Sequence, residues 1–296
     1  MPNKKLSFAV FGNFYDDKTT IIIKDIIWLL GQRDADIYIE EAFLADQNFS
    51  NGITGVFNKD TIKADYVIAL GGDGTFLRAA SYIGSKEIPI IGVNLGRLGF
   101  LVNTKPEELS DTLNNIYAKN FSIDKRTVIK VATKGEKDTI QLPYALNDIS
   151  ILKKDDAAMI TIHTSINGEP LANISADGLI VCTPTGSTAY SLSNGGPILV
   201  PHSGNLCLTP IAPHSLNIRP LVFSDDVVVD LKIDSRSHNY LVAIDGRSTT
   251  LREGSELTIS KAAFKINVVK QANNNYFDTL RKKLMWGADL RSITKE

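Results

Sequence analysis

Apolar positions follow two different rhythms along this chain, and the change between them falls near Phe121. Before it, short aliphatic runs alternate with stretches of helical period. Leu6 to Phe11 predicts a first strand, and Ile22, Ile23, Ile26, Ile27, Leu29 and Leu30 mark a helix over Thr19 to Gln32, with Gly31 placed as its C-cap. Asp36 to Ile39 predicts a second strand, and the polar stretch Asp46 to Lys63 a loop. Tyr66 to Leu70 has the length and β-branched content of a fully buried parallel strand. The helix expected after it spans Thr75 to Tyr82, with Phe76, Leu77, Ala80 and Ile83 facing the sheet. Pro89 to Val93 predicts another buried strand, and Pro106 to Lys119 an amphipathic helix with Leu109, Leu113, Ile116 and Tyr117 on one face.

Alternating β and α elements up to about residue 120 imply an open parallel sheet with helices on both faces, whose ligands bind at the strand C-termini. From Phe121 to about Val269 the chain is a series of short alternating segments broken by turns, such as RTVIKVAT, QLPYALNDISILK, LANISADGLIVCT and NYLVAIDG. That spacing predicts an all-β domain of two packed antiparallel sheets, a β-sandwich. The tail, Tyr276 to Lys295, carries Phe277, Leu280, Leu284, Met285 and Leu290 at helical offsets. The expected organisation is an α/β domain over 1–120, an all-β domain over 121–270, and a helical segment over 271–296 that returns to the first domain.

The strand ending at Leu70 runs into Gly71-Gly72-Asp73-Gly74 and then a helix start. Bare glycine peptide and free N–H groups make such a turn an anion site. A carboxylate in it repels phosphate, so Asp73 needs a role: it binds a bridging divalent cation, accepts a proton from an attacking hydroxyl, or caps the following helix. Neither a Walker A loop nor G-x-G-x-x-G occurs here. Arg97, in the glycine-containing loop after Val93, is either a phosphate grip or a solvated arginine. Asn147-Asp148 offers an amide and a carboxylate to the two hydroxyls of a ribose, or is a simple strand-end turn. Asp177 to Pro197 brings hydroxyls and exposed N–H groups to a second helix start, which holds a ligand or is only a capped helix. GSTAY does not fit the serine-hydrolase elbow.

Composition adds exclusions. The net charge of −1 over 296 residues gives no basic field for nucleic acid or an anionic membrane. No apolar run is long enough to span a bilayer and MPNKK does not open a signal peptide, so a cytoplasmic protein is expected. Cys182 and Cys207 lack C-x-x-C spacing and the four histidines are scattered, so no protein-built transition-metal site is expected and Cys182 reads as a reduced core thiol.

Taken together and in order, GGDGTFLRAA, VNLGRLGFL, LNDISI, ADGLIVCTPTGSTAYSLSNGGPI and PHSLNIRPLV resemble the NAD kinases, enzymes that phosphorylate the adenosine-ribose 2′-hydroxyl of NAD to give NADP. The resemblance is dense from about residue 60 to about residue 225. It implies that Asp73 is the general base, helped by Gly74 and Arg78, and that ATP, or polyphosphate in some members, meets Gly71 and Gly72 with Mg²⁺. Thr75 is compatible with broad donor use. It further implies that Asn147 and Asp148 bind the riboses of NAD, and that Asp177 and the run Thr188, Ala189, Tyr190, Ser191 to Ser193 hold nicotinamide and adenine. Part of that contact is expected across a subunit interface of a homo-oligomer, a tetramer or dimer. The chain departs from the family pattern at three places: Asp148 where many members have Glu, Ser175 where relatives often carry a larger basic group, and Arg247 where Gln is frequent. A lipid or sugar kinase sharing the GGDG loop, or a non-catalytic dinucleotide sensor, are the competing expectations.

Overall fold

The computed structural model describes residues 5–12, 17–44, 52–96, 99–102, 104–134, 140–154, 158–270 and 275–287. Arg97, and the end of the expected tail helix beyond residue 287, lie outside the described residues. The chain divides into two compact units, one of Met1–Asp124 with Asn267–Glu296, the other of Lys125–Ile266.

The first unit contains β1 (Ser7–Gly12), α1 (Asp17–Gly31), β2 (Asp36–Glu40), α2 (Glu41–Leu44), β3 (Gly55–Phe57), β4 (Tyr66–Gly71), α3 (Asp73–Ile83), β5 (Ile90–Asn94) and α4 (Leu109–Tyr117). Its strands run in the order β5-β4-β1-β2-β3, all parallel. One face of the sheet, with Phe8, Val10, Ile68, Leu70, Ile91 and Val93, packs on Ile23, Ile26, Ile27 and Leu30 of α1 and on Leu109, Leu113 and Ile116 of α4. On α3 the buried positions are Thr75, Phe76, Ala79, Ala80 and Ile83. Each such Val, Leu, Ile or Phe side chain removed from water stabilises the fold by about 1.5–3 kcal/mol before entropy is counted. Because the registers pair Gly12 with Leu70 and Gly71 with Asn94, the C-terminal ends of β1, β4 and β5 form one edge. The short β3 falls inside the stretch expected to be loop: its Val56 is exposed, so a three-residue edge strand left no periodic signal.

The chain enters and leaves the second unit along β6 (Ser122–Lys134) and β17 (Glu256–Lys270). Between them lie β7 (Tyr144–Ala145), β8 (Asp148–Lys153), β9 (Ile160–Ile166), β10 (Glu169–Ala176), β11 (Gly178–Cys182), α5 (Tyr190–Ser193), β12 (Asn205–Ile211), β13 (Leu221–Ser224), β14 (Val229–Asp234), β15 (Asn239–Ile244) and β16 (Arg247–Arg252). One antiparallel sheet has the order β13-β12-β11-β8-β15-β16, and β10-β9-β14-β17 with β6 and β7 supplies the other. Ile149, Ile151, Leu179, Val181 and Val242 of the first meet Ile129, Ile162, Leu231 and Ile259 of the second in one core, which makes this unit a β-sandwich. LANISADGLIVCT, continuous in its apolar pattern, is two strands in two different sheets, and the chain changes sheet at Asp177. The segment α6 (Tyr276–Leu284) belongs to the first unit and is capped by Asn275, whose side chain accepts the N–H of Phe277 at 3.0 Å.

Candidate active site

In the first unit the sequence motif becomes a strand, a turn and a helix. Gly71 has φ +152°, and a Cβ there would strike the Thr75 hydroxyl, which is itself buried in α3. Asp73 is the first residue of α3 and does not cap it; the N-cap is Gly72, and no side chain serves the cap. The carboxylate turns instead to the loop after β5. Its Oδ2 accepts the N–H of Phe100 at 2.9 Å, and its Oδ1 accepts those of Leu101 and Val102 at 3.1 and 3.2 Å. The loop comes this close only because residue 99 is glycine, since a Cβ there would land on Asp73 Oδ1. An ionised carboxylate offers about four lone-pair positions, so one on Oδ2 is left for a proton. Lys283 of α6 stands 3.8 Å from that oxygen.

Arg78, one turn further along α3, donates to the Gly12 carbonyl at 2.8 Å and to Glu40 Oε2 at 2.9 Å. Glu40 is buried, and its pKa is raised because desolvation outweighs the lowering by the Arg78 charge and by the neighbouring Tyr82 hydroxyl. Arg78 therefore ties the ends of β1 and β2 together and supports the edge on which Asp73 lies.

In the second unit Asn147 and Asp148 lie at the start of β8, beside the end of β11 and the end of β15. The tip of the β15–β16 hairpin is the two-residue turn Asp245-Gly246, with φ of +46° and +79°. From it the Asp245 carboxylate accepts the N–H groups of Leu146 and Asn147 at 2.8 Å each and of Asp148 at 3.2 Å. On the other side Thr183 donates its N–H to the Asn147 carbonyl at 2.9 Å and its hydroxyl to Leu146. Gly186 lies so close to the Asn147 backbone that any Cβ would overlap it. Backbone atoms are thus fixed from both sides, while the Asn147 side-chain amide has no partner among the described residues and is free for a ligand.

Asp148 is 6% exposed and receives only the Ser150 hydroxyl, at 2.9 Å. Burial and the neighbouring Asp245 charge raise its pKa to about 6, against a smaller lowering by Ser150. Burial also raises the pKa of Asp245, opposed by its three backbone donors and by Arg247. Arg247 donates to the carbonyls of Ile244 and Tyr144, and its buried Nη1 has no partner.

The run after Thr183 is a single 3-10 turn, Gly186–Thr188, followed by α5. Ser187 and Ser191 are fully buried, and the Ser191 hydroxyl pairs with Thr209 at 2.8 Å, so Ser191 shapes the turn rather than offering its side chain to a ligand. Thr188, Ala189 and Ser193 are partly or fully exposed, and Tyr190 is 43% exposed. Ser175 and Asp177 are not with this group. Asp177 precedes β11 and Thr183 follows it, a separation of about 20 Å at the usual rise per residue. There Asp177 pairs with Lys153 at 2.8 Å, and the Ser175 hydroxyl lies 3.3 Å from that of Thr161.

Sequence reasoning missed three residues. Asp245 carried one signal, the Asp-Gly turn between alternating segments; Thr183 looked like the end of a buried strand; Lys283 looked like ordinary basic charge in the last turn of a helix. Among the described residues no group of three His, Cys, Asp or Glu side chains is placed to hold a metal ion. With most of the Asp73 carboxylate spent on N–H groups, these donors fit a divalent cation that arrives with a nucleotide's phosphates better than a resident one.

A parallel α/β unit that ends a strand in a glycine-rich acidic turn, joined to a β-sandwich with a polar strand-end cluster, suits a nucleotide-dependent phosphotransferase, and comparison with known proteins gives that class. The ATP-NAD kinase N-terminal domain profile matches residues 21–121, and the ATP-NAD kinase C-terminal domain profile matches residues 146–271. An NAD kinase of Bacteroides fragilis is 48% identical over 97% of this chain and 100% of its own length, and one of Porphyromonas gingivalis is 43% identical over 96% and 99%. The chain belongs to the NAD kinase family. Among solved structures, an NAD kinase from Archaeoglobus fulgidus in complex with ATP superposes with a TM-score of 0.76 at 26% identity, over 95% of this chain and 99% of that one. Yeast NADH kinase complexed with NADH shares the fold, with a TM-score of 0.88 at 22% identity over 98% and 90%.

Proposed function

We propose that this enzyme transfers the γ-phosphoryl group of ATP to the adenosine-ribose 2′-hydroxyl of NAD, with Asp73 Oδ2 taking the hydroxyl proton. The observation that carries this is the held carboxylate: three N–H donors fix its plane and leave one lone pair on Oδ2. Phosphoryl transfer asks a protein for positioning and charge neutralisation more than for covalent chemistry. In this assignment the Gly71-Gly72 turn and the first N–H groups of α3 receive phosphate oxygens. Asn147 and Asp148 take the ribose diol, the amide donating and the carboxylate accepting. A magnesium ion carried by the ATP phosphates would supply charge neutralisation there, with no protein-built metal site needed among the described residues.

Thr188, Ala189, Tyr190 and Ser193, with the backbone at Ser191, contact the bases or the nicotinamide amide, and Arg247 supports the Asn147 turn through Asp245. The distance between Asp177 and Asn147 along β11 supports a homo-oligomer, a tetramer or dimer, in which Ser175 and Asp177 serve a neighbouring subunit's dinucleotide. A cytoplasmic location is part of the same proposal; among the described residues no helix is long and apolar enough to cross a membrane. An assay of NADP formation from NAD with MgATP tests the function. Diacylglycerol and fructose 6-phosphate serve as alternative acceptors, and phosphorylation of either in place of NAD would overturn it. Polyphosphate in place of ATP measures donor range.

A further inference from the structure

We infer that Lys283, on the C-terminal helix α6, is a phosphate-gripping residue of the phosphoryl-transfer site, a role that rests on the kinase function proposed above. Its ammonium lies 3.8 Å from Asp73 Oδ2, too far for a hydrogen bond, and 4.4 Å over the centre of the Phe100 ring. The position is therefore fixed by the aromatic face and by the carboxylate's field. None of its three N–H donors is consumed by a hydrogen bond among the described residues. The side chain is a third exposed, so those donors face accessible space beside the one oxygen of Asp73 that has a lone pair left.

The electrostatics of the turn favour such a group. Asp73 is a negative charge where a polyanion must approach, and its own partners are neutral peptide N–H groups. A flexible ammonium 3.8 Å away can swing between the carboxylate and an incoming phosphoryl oxygen with little change in its stem. The other basic residues of the same helix turn do not share this placement. Arg281 is bound to Asp278, and Lys282 points to solvent. Phe100 links the two halves of the arrangement, because its N–H holds Asp73 and its ring carries Lys283.

Lys283→Met keeps the apolar stem over Phe100 and removes the charge. The expected result is weaker MgATP binding and a fall of about 100-fold in kcat, as for loss of one donor to the phosphates that strengthens in the transition state, with NAD affinity and melting temperature unchanged. Lys283→Arg should recover part of the loss, and Lys282→Met should behave as wild type. A purely structural lysine, acting only by holding Asp73, is separated by a second measurement: in an Asp73→Asn background, Lys283→Met should still weaken MgATP binding measured by calorimetry. Unchanged kcat in the single variant, or unchanged MgATP affinity in the double variant, overturns the inference. If wild type itself forms no NADP, the kinase function has failed instead.

Discussion

Asp245 Oδ1 accepts the backbone N–H of Asn147 at 2.8 Å, so a carboxylate at the tip of one hairpin sets the position of the amide proposed to grip ribose, almost a hundred residues away in sequence. The same carboxylate holds Leu146 and Asp148, and it stays desolvated to do so. Replacing Asp245 by Ala strands three N–H donors. Unfolding in denaturant should show a loss of about 2–3 kcal/mol, the net of lost charged hydrogen bonds and relieved desolvation. NAD affinity by calorimetry should fall at least severalfold. A variant with wild-type stability and wild-type affinity would show that the hairpin tip does not position the Asn147 turn.

Asp148 makes a pH prediction. Its pKa is raised from an unfolded value of 3.8 to about 6, so the folded protein favours the protonated acid. The destabilisation is absent below pH 4, grows as pH rises through about 6, and is complete above that, amounting to about 3 kcal/mol at most. Asp148→Asn should therefore be more stable than wild type at pH 8 and similar to it at pH 4. Ribose hydroxyls donate to the ionised form, so NAD binding should weaken as pH falls below 6 and should release protons near that pH, read from calorimetry in buffers of different ionisation enthalpy. Affinity that is flat from pH 5 to pH 8 would contradict the ribose role.

Gly99 is predicted to tolerate no side chain. A Cβ would occupy the space of Asp73 Oδ1, so Gly99→Ala must push the loop or the carboxylate aside. The expected result is a kcat lowered by at least about 10-fold, since small misplacement of a reacting group is costly, with NAD affinity retained. A wild-type kcat would mean that the loop can retreat without disturbing Asp73.

Arg78→Met leaves Glu40 buried without its cation. At pH 8 this should cost about 1–3 kcal/mol, the penalty for a buried group left without its partner, below that of a wholly buried pair because a third of the Arg78 side chain is exposed. Because burial already raises the Glu40 pKa, the cost should shrink as pH is lowered and Glu40 takes up a proton. Thermal melts across that range separate this structural role from one confined to ligand binding, for which no stability change is expected.

The buried strands and the turn after Leu70 were legible because their signal is local: apolar runs closed by glycine, and an acid where the chain must turn. The β-sandwich was legible as a class, from short alternating segments. What was not legible depended on partners far away in sequence. Asp73 read equally well as a cap and as a base, since nothing in GGDG says that Phe100–Val102 will consume three of its lone pairs. Asp177 and the run Thr188 to Ser193 read as one polar stretch, yet the chain changes sheets at Asp177 and the length of β11 separates it from that run. Lys283 had no sequence signal at all, for only the docking of α6 beside Phe100 distinguishes it from Lys282.

The proton acceptor is tested most directly by the rate of NADP formation by Asp73→Asn, which keeps an oxygen for the N–H groups of Leu101 and Val102, removes the basic oxygen and leaves the Phe100 N–H without its acceptor. The expected outcome is a folded protein with unchanged NAD affinity and a kcat reduced by about 10²- to 10⁴-fold, the usual contribution of a positioned general base. A kcat within a few-fold of wild type would contradict the assignment of Asp73 as the base.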